Sequence, residues 1–253
     1  MSARGRAKRK AVSYTLHGHR TIHPVLSAAV GTDPRSLSRV DTIPSQRAMR
    51  QLGWGCMIWD QRYASADYVY GTDPNEFLAE TIRGLDGGGR ALCLAEGEGR
   101  NAVFLAGRGY EVHAVDASAV GLAKAERLAR ERGVHIVTEV ANLDGYRIDP
   151  GAWDLIVSIF CHLPAPIRRA LHREVVAGLR PGGLFVAEAY TPAQLALGTG
   201  GPPDAALMVT VAELHEELAG LHFEQAREIE REVHEGRLHT GRGAVVQIVA
   251  RRP

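Results

Sequence analysis

The sequence predicts an α/β fold: an open sheet of seven strands, mostly parallel, with helices on both faces and a C-terminal antiparallel hairpin. Three observations predict it. Arg90 to Ser118 reads as strand, glycine-rich turn, helix, strand and acidic residue, the opening of a βαβ unit. Trp153 to Phe160 is an apolar run of the type buried inside a parallel sheet. Phe223 to Val233 and Ala244 to Ala250 are two strand-like runs joined by residues 234–241, which reads as a long antiparallel hairpin.

At 253 residues and 45% hydrophobic content, the chain can bury a full core as one domain or two small ones. Residues 1–56 hold ten Lys/Arg against two acids, whereas 57–253 hold twenty against twenty-seven. The net charge of +1 therefore hides a basic tail on an acidic body. Met1 to Lys10, with five basic residues and no acid, fits a nucleic-acid arm, and the whole acid-poor tail fits a transit peptide. The plainer reading is a disordered or dispensable extension, because no amphipathic period is sustained. On that reading 57–253 is the functional domain and Met57 its expected start. Cys56, Cys93 and Cys161 form no CxxC or Cys/His pattern, so no disulfide scaffold or metal site is expected, and a reducing cytoplasm is the default. The longest apolar stretch, Leu155 to Cys161, falls far short of the ~20 residues of a membrane helix.

Ile58 to Phe77 concentrates Trp59, Tyr63, Tyr68, Tyr70 and Phe77. Such a segment is either a lid over a cofactor, with an aromatic ring near a cationic centre, or a docking helix that completes the core. Asp73-Pro74-Asn75 then starts a helix through Ile82, ended by Gly84 and the Gly87-Gly88-Gly89 turn. Ala91 to Leu94 is the first strand, and Val103, Leu105 and Ala106 recur at helical spacing after the loop Glu96-Gly97-Glu98-Gly99. In an open parallel sheet that loop is where a ligand binds, at the helix N-terminus. Gly97 to Ala102 satisfies G-x-G-x-x-A, so a nicotinamide or flavin enzyme fits. Charge favours a different ligand. Glu96 and Glu98 would repel a pyrophosphate but suit the sulfonium and ammonium of S-adenosylmethionine, with Arg100 near enough to pair with its carboxylate. Asp116, ending the second strand, is placed to accept both hydroxyls of an adenosine ribose.

Ala119 to Arg132 is a helix and Val134 to Val140 a third strand. Asn142, just past that strand, faces an adenine in such a fold or is simply a turn residue. The fourth strand, Trp153 to Phe160, delivers Cys161-His162-Leu163-Pro164 to the mouth of the cleft. His162 reads as a general base, a substrate contact or a loop histidine without a role, and Cys161 as a small buried hydrophobe. A helix from Ala165 to Leu179 leads into the turn Arg180-Pro181-Gly182-Gly183 and a fifth strand, Leu184 to Ala189.

The run LHREVVAGLRPGGLFVAEAYTP resembles the post-core segment of class I S-adenosylmethionine-dependent methyltransferases, with a helix, an R-P-G-G turn and the fifth strand. Within that superfamily the chain most resembles the bacterial tellurite-resistance and thiopurine-methyltransferase-like group, over about residues 58–253. The motifs are WDQRY, LAEGEGRNAVFLA, SIFCHLP, AYTPAQLALGTGGPP and REVHEGRLHTG. The resemblance implies a Rossmann-like sheet and S-adenosylmethionine held by Trp59, Glu96, Gly97, Gly99, Asp116, Ala117, Asn142, Leu143 and Ser158, with His162 and Tyr190 at the catalytic end. It also implies a small-molecule acceptor, a thiol or a tellurite- or selenite-type chalcogen.

Thr191 to Pro203, rich in glycine, reads as a mobile loop over the substrate side or a connector, and Val211 to Leu221 as a helix. The alternating charges of Arg227 to Glu232 read as a solvated strand face. The Asn/Asp-Pro-Pro-aromatic motif of many amino-group methyltransferases is absent after the fourth strand, where Ser158 to His162 stands, and the body is acidic. Both points argue against DNA or RNA as substrate. A dinucleotide oxidoreductase and a catalytically silent cofactor-binding protein are the alternative readings.

Overall fold

The computed structural model describes residues 54–253, so the basic extension lies outside the described residues as far as residue 53. Helix α1 (Trp54–Tyr63) begins about a turn ahead of Met57, and α2 (Glu76–Arg83) follows. The sheet then builds as β1 (Arg90–Leu94), α3 (Arg100–Gly107), β2 (Glu111–Asp116), α4 (Ala119–Glu131), β3 (Val137–Val140), β4 (Trp153–Ile159), α5 (Ala165–Gly178) and β5 (Leu179–Tyr190). Two short 3-10 helices, Pro192–Ala196 and Ala205–Leu207, precede α6 (Val211–Glu217) and the hairpin β6 (His222–Glu235) and β7 (His239–Arg251).

The strand order is β3-β2-β1-β4-β5-β7-β6. Strands β1 to β5 are parallel, and β7 runs antiparallel to both β5 and β6. This is the expected seven-stranded, Rossmann-like sheet. Its order reverses between β1 and β4, so their carboxyl ends diverge around a crevice, the switch point where such sheets take ligands. Alternation along the strands divides the core. Ala91, Cys93, Leu155, Val157 and Val186 face Leu78, Ile82, Leu105, Leu122 and Leu128 of α2, α3 and α4. Leu92, Leu94, Ile156 and Phe185 face Leu171 and Val175 of α5, Leu214 of α6 and Leu218 just after it. A strand covered on both faces has no solvated side to alternate with, which is why β4 reads as a largely apolar run.

Four boundaries differ from expectation, each for a local reason. β3 starts at Val137 because the Val134 N–H closes α4, bonding Ala129 O at 3.0 Å with Gly133 at φ +68°. The Arg180-Pro181-Gly182-Gly183 turn lies inside β5 as a bulge, since Leu179 pairs with Trp153 but Leu184 with Leu155. Gly182 N–H and Gly183 O bond Arg252 at 2.8 and 2.9 Å, fixing that bulge against the chain's C-terminal end. Helix α6 stops at Glu217 before Gly220, at φ +104°. The hairpin strands run on to Glu235 and from His239, leaving only residues 236–238 as the connection. Nor is β6 solvated throughout: Arg231 turns inward and donates to Glu188 at 2.8 and 2.7 Å.

Candidate active site

The crevice is edged by two non-glycine residues with left-handed backbones, Ala95 (φ 53°) directly after β1 and Phe160 (φ 52°) directly after β4. Such conformations cost roughly 1–3 kcal/mol each and persist where the surroundings impose them. Between them the glycine loop is held by its own acids. Glu96 Oε1 accepts the Asn101 and Ala102 N–H groups at 3.0 and 2.9 Å, capping α3. Burial pushes the Glu96 carboxyl up to about 7, opposed by those amides and by Arg100 and assisted by the charge of Asp116. Gly97 N–H donates to Asp116 Oδ2 and Ser118 N–H to Oδ1, both at 2.8 Å. Burial raises the Asp116 carboxyl above its ordinary value, and these amides oppose the rise. Each Asp116 oxygen keeps a second lone pair, so the aimed carboxylate can still accept two ribose hydroxyls.

The loop's second acid looks elsewhere. Glu98 Oε2 accepts Val69 N–H at 2.8 Å and Tyr70 N–H at 3.3 Å, and the carboxylate is ion-paired with Lys124. Arg100, expected to meet a cofactor carboxylate, is buried against Glu235 at 2.5 Å. The expected choice of cofactor therefore rests on a different ground from two free loop acids. The N–H groups at the start of α3, where a pyrophosphate would sit, are occupied by Glu96. That donor set fits a phosphate-free adenosyl ligand.

Helix α1 docks and also reaches the loop. Asp60 Oδ1 accepts from Ser118 Oγ at 2.5 Å and from Val120 N–H at 3.3 Å, pinning α1 to the start of α4. Trp59 is half-buried and stacks on Tyr63 with centroids 5.7 Å apart. The Tyr63 hydroxyl fills the space a side chain at Gly97 would need, 2.7 Å from the position of its Cβ, and Gly97 has φ +64°. Gly99, at φ +96°, lets α3 approach α4 so closely that a Cβ would stand 2.5 Å from Ala125. Ala117 is half-buried beside Asp116, and Leu143 packs into the core under β3. Asn142 is exposed and accepts Asp144 N–H at 3.0 Å, a turn contact. Ser158 lies beside Leu94 at the end of β4 and, with Cys161, Arg168 and His172, lines a cavity of about 20 Å³.

Past Phe160 the site becomes a box of rings. Phe160 lies 4.7 Å from Tyr190 and 4.8 Å from His239, and Tyr70 lies 4.6 Å from His239. His162 stacks on Tyr190 at 5.7 Å and 13°. Burial pushes the His162 imidazole down to about 4, and the Leu207 backbone beside it opposes the fall. His239 is buried with Nδ1 unpartnered, and burial, then the charge of Arg100, holds it well below its ordinary value. Both imidazoles are neutral at pH 7. Burial lifts the Cys161 thiol to about 12, the charge of Asp116 adding to the rise and a Ser158 hydrogen bond opposing it, so it offers no thiolate.

The structure thus groups Glu96, Gly97, Gly99 and Asp116 at the crevice with Tyr63 over them, and groups His162 with Tyr190 beyond it. Sequence reasoning passed over Tyr70, Phe160 and His239 as site residues. His239 stood in a stretch read as a loop, and only its place in the REVHEGRLHTG motif pointed to it.

Residues 91–183 match the model of a methyltransferase domain. No curated protein matches the sequence. Among solved structures, one titled for the conversion of a disulfide bond into a thioacetal group during echinomycin biosynthesis is 22% identical. It aligns over 78% of this chain and 91% of its own, with a TM-score of 0.62. TehB from Haemophilus influenzae is 18% identical over 79% of this chain and 67% of its own, with a TM-score of 0.60. An S-adenosylmethionine-dependent methyltransferase from Mesorhizobium loti is 23% identical over 69% and 95%, with a TM-score of 0.54. At these identities the solved structures establish likeness of fold.

Proposed function

We propose, taking as premise that this chain is a methyltransferase using S-adenosylmethionine, that its acceptor is a small molecule alkylated on a thiol or chalcogen. When bound, the cofactor supplies an electrophilic methyl on a sulfonium, and the acceptor's sulfur–carbon bond forms as the sulfonium–methyl bond breaks. Asp116 would orient the ribose, Gly97 and Gly99 would let the adenosyl group approach the backbone, and Trp59, Ala117, Leu143 and Ser158 would flank it, with Asn142 contributing through its backbone. The rings of Tyr190 and Phe160 would keep water from the reacting atoms, where collinear placement supplies most of the rate.

The observation that carries this reading is Asp116, held by two main-chain N–H groups at 2.8 Å with lone pairs to spare, beside an α3 terminus already occupied by Glu96. A neutral His162 and a Cys161 that stays a thiol leave no strong base in the β4 loop, which suits a nucleophile that deprotonates readily. The tellurite-resistance and thiopurine-type grouping and the cytoplasmic setting belong to this proposal. Among the described residues no helix is long and apolar enough to cross a membrane.

Calorimetry with S-adenosylmethionine and with NADH tests the cofactor, and turnover of a thiol and chalcogenide panel tests the acceptor. Binding of NADH alone would turn the reading to an oxidoreductase, and binding without turnover to a silent cofactor-binding protein. Asp116→Ala should weaken S-adenosylmethionine binding by roughly 2–4 kcal/mol, since two hydrogen bonds to a charged group are lost together. Unchanged affinity would remove Asp116 from the site.

A further inference from the structure

The second acid of the glycine loop turns away from the crevice and gathers the chain between α1 and α2. Glu98 is buried, and its Oε2 accepts the Val69 and Tyr70 N–H groups at 2.8 and 3.3 Å while Oε1 pairs with the ammonium of Lys124 on α4. That ammonium, buried as well, donates to Asp67 O at 2.7 Å, Ser65 O at 3.0 Å and Tyr63 O at 3.4 Å, and stands 5.1 Å from the centre of the Tyr68 ring. One ion pair thus takes up five main-chain polar groups between residues 63 and 70. The stretch needs such partners, because residues 64–75 form neither helix nor strand and 64–67 are exposed. Apolar packing adds little there: residues 63–66 stand off α4 across a groove of about 480 Å³ bounded by Ala119, Val120 and Ala123. Tyr63, at the start of the stretch, is wedged between Gly97 and Gly121, 2.7 and 2.9 Å from where their Cβ atoms would lie. Burial, and then the charge of Asp116, push its phenol well above its ordinary value.

We propose that Glu98 and Lys124 are positioning residues for the methyl donor: the pair clamps residues 63–70 so that Tyr63 closes over Gly97 beside Asp116, and cofactor and clamp stabilise one another. The proposal rests on the cofactor reading above. Both side chains act through the stretch they hold, not by contact with the cofactor. A direct electrostatic role makes a different prediction. S-adenosylmethionine carries one net positive charge, so removing the acid would weaken binding and removing the ammonium would strengthen it. A clamp loses its grip whichever member is removed. Coupling between two sites is also reciprocal, so a stretch that tightens cofactor binding is itself tightened by the cofactor, by the same factor.

Calorimetry of the full chain with S-adenosylmethionine should show Glu98→Gln and Lys124→Met each weakening binding by about tenfold. The double variant should lose little more than either single one, since each already releases the same clamp. In the unaltered chain, hydrogen exchange at the Val69 and Tyr70 amides should slow by about tenfold when S-adenosylmethionine saturates the site. The amides of α5, which covers the other face of the sheet, should not respond. Tighter binding by Lys124→Met overturns the proposal in favour of direct electrostatics. Lower melting temperatures with unchanged affinity overturn it in favour of a purely structural pair, and so does exchange at Val69 and Tyr70 that the cofactor leaves unaltered. Should either variant fail to fold, the exchange measurement on the unaltered chain decides. Failure of the unaltered chain to bind S-adenosylmethionine defeats the cofactor reading itself, whereas binding accompanied by any of the contrary results defeats this proposal alone.

Discussion

Glu96 is a carboxyl placed where its charge is unwelcome, with burial raising it from 4.5 to about 7. A group raised in the folded state contributes stability that is complete below the unfolded value and is lost as pH rises through the folded one. Between pH 5 and 8, in the absence of cofactor, the native chain should therefore lose on the order of 3 kcal/mol that Glu96→Gln retains. The difference in melting temperature between the two should open across that window, and a constant difference would show that Glu96 is not the titrating group. His162 makes the opposite kind of prediction. Neutral at pH 8 and with its imidazole pushed down to about 4, it is a weak proton acceptor, so His162→Ala should slow methyl transfer to a thiol no more than about tenfold. A thousandfold loss with an oxygen or nitrogen acceptor would make it the general base. At this scale the sequence was legible where residue type and spacing define a position, as in Asp116 at the end of β2 or the glycines after β1. It was not legible where a side chain could turn two ways: Glu98 and Arg100 stand beside the expected ligand in sequence but point to Lys124 and Glu235.

Strands β1 and β4 were readable because burial on both faces leaves a mostly apolar signature, interrupted in β4 only by Asp154 and Ser158. The distal hairpin was not, because its core-facing residues there are Arg231, Glu235 and His239, which look like solvent residues in any hydropathy pattern. Arg231 and Glu235 can sit there because they pair with each other and with neighbouring polar groups, whereas His239 is enclosed by rings. Glu188, fully buried on β5, accepts from Asn75 Nδ2 at 2.6 Å, Gln247 Nε2 at 2.7 Å and Arg231 at 2.8 and 2.7 Å. Glu235 accepts from Asn75 at 2.7 Å and from Arg100 at 2.5 Å. Arg231→Met strips the positive partner from two buried carboxylates and should cost roughly 3–5 kcal/mol, a fall of about 10 °C for a domain of this size. Adding Glu188→Gln should recover part of that loss, because one uncompensated charge is then removed. Additive effects in the double variant would show that the pair is not coupled.

At the level of the molecule, the charge break near residue 56 makes the tail separable from the fold in sequence terms, and we expect a chain beginning at Met57 to fold and bind S-adenosylmethionine. Because α1 starts at Trp54, that truncation removes about a turn of the helix whose Asp60 holds the start of α4 and whose Tyr63 packs on Gly97. Unchanged calorimetric affinity supports the boundary; loss of binding or of the melting transition places the boundary earlier. The hairpin is separable in a different sense. Strand β5 ends at Tyr190, opposite Val245, yet β6 and β7 continue paired with each other to Glu235 and His239. The six residues from His239 to Ala244 thus overhang the sheet by about 20 Å, and the tip rests on the chain before α2 through Arg237 N–H to Val69 O at 2.9 Å. The overhang is nevertheless tied to the sheet and to the start of α3, because Arg231 pairs with Glu188 on β5 and Glu235 with Arg100. A lineage that rebuilds the ribbon's tip must therefore keep these two buried pairs, or replace both of their members together.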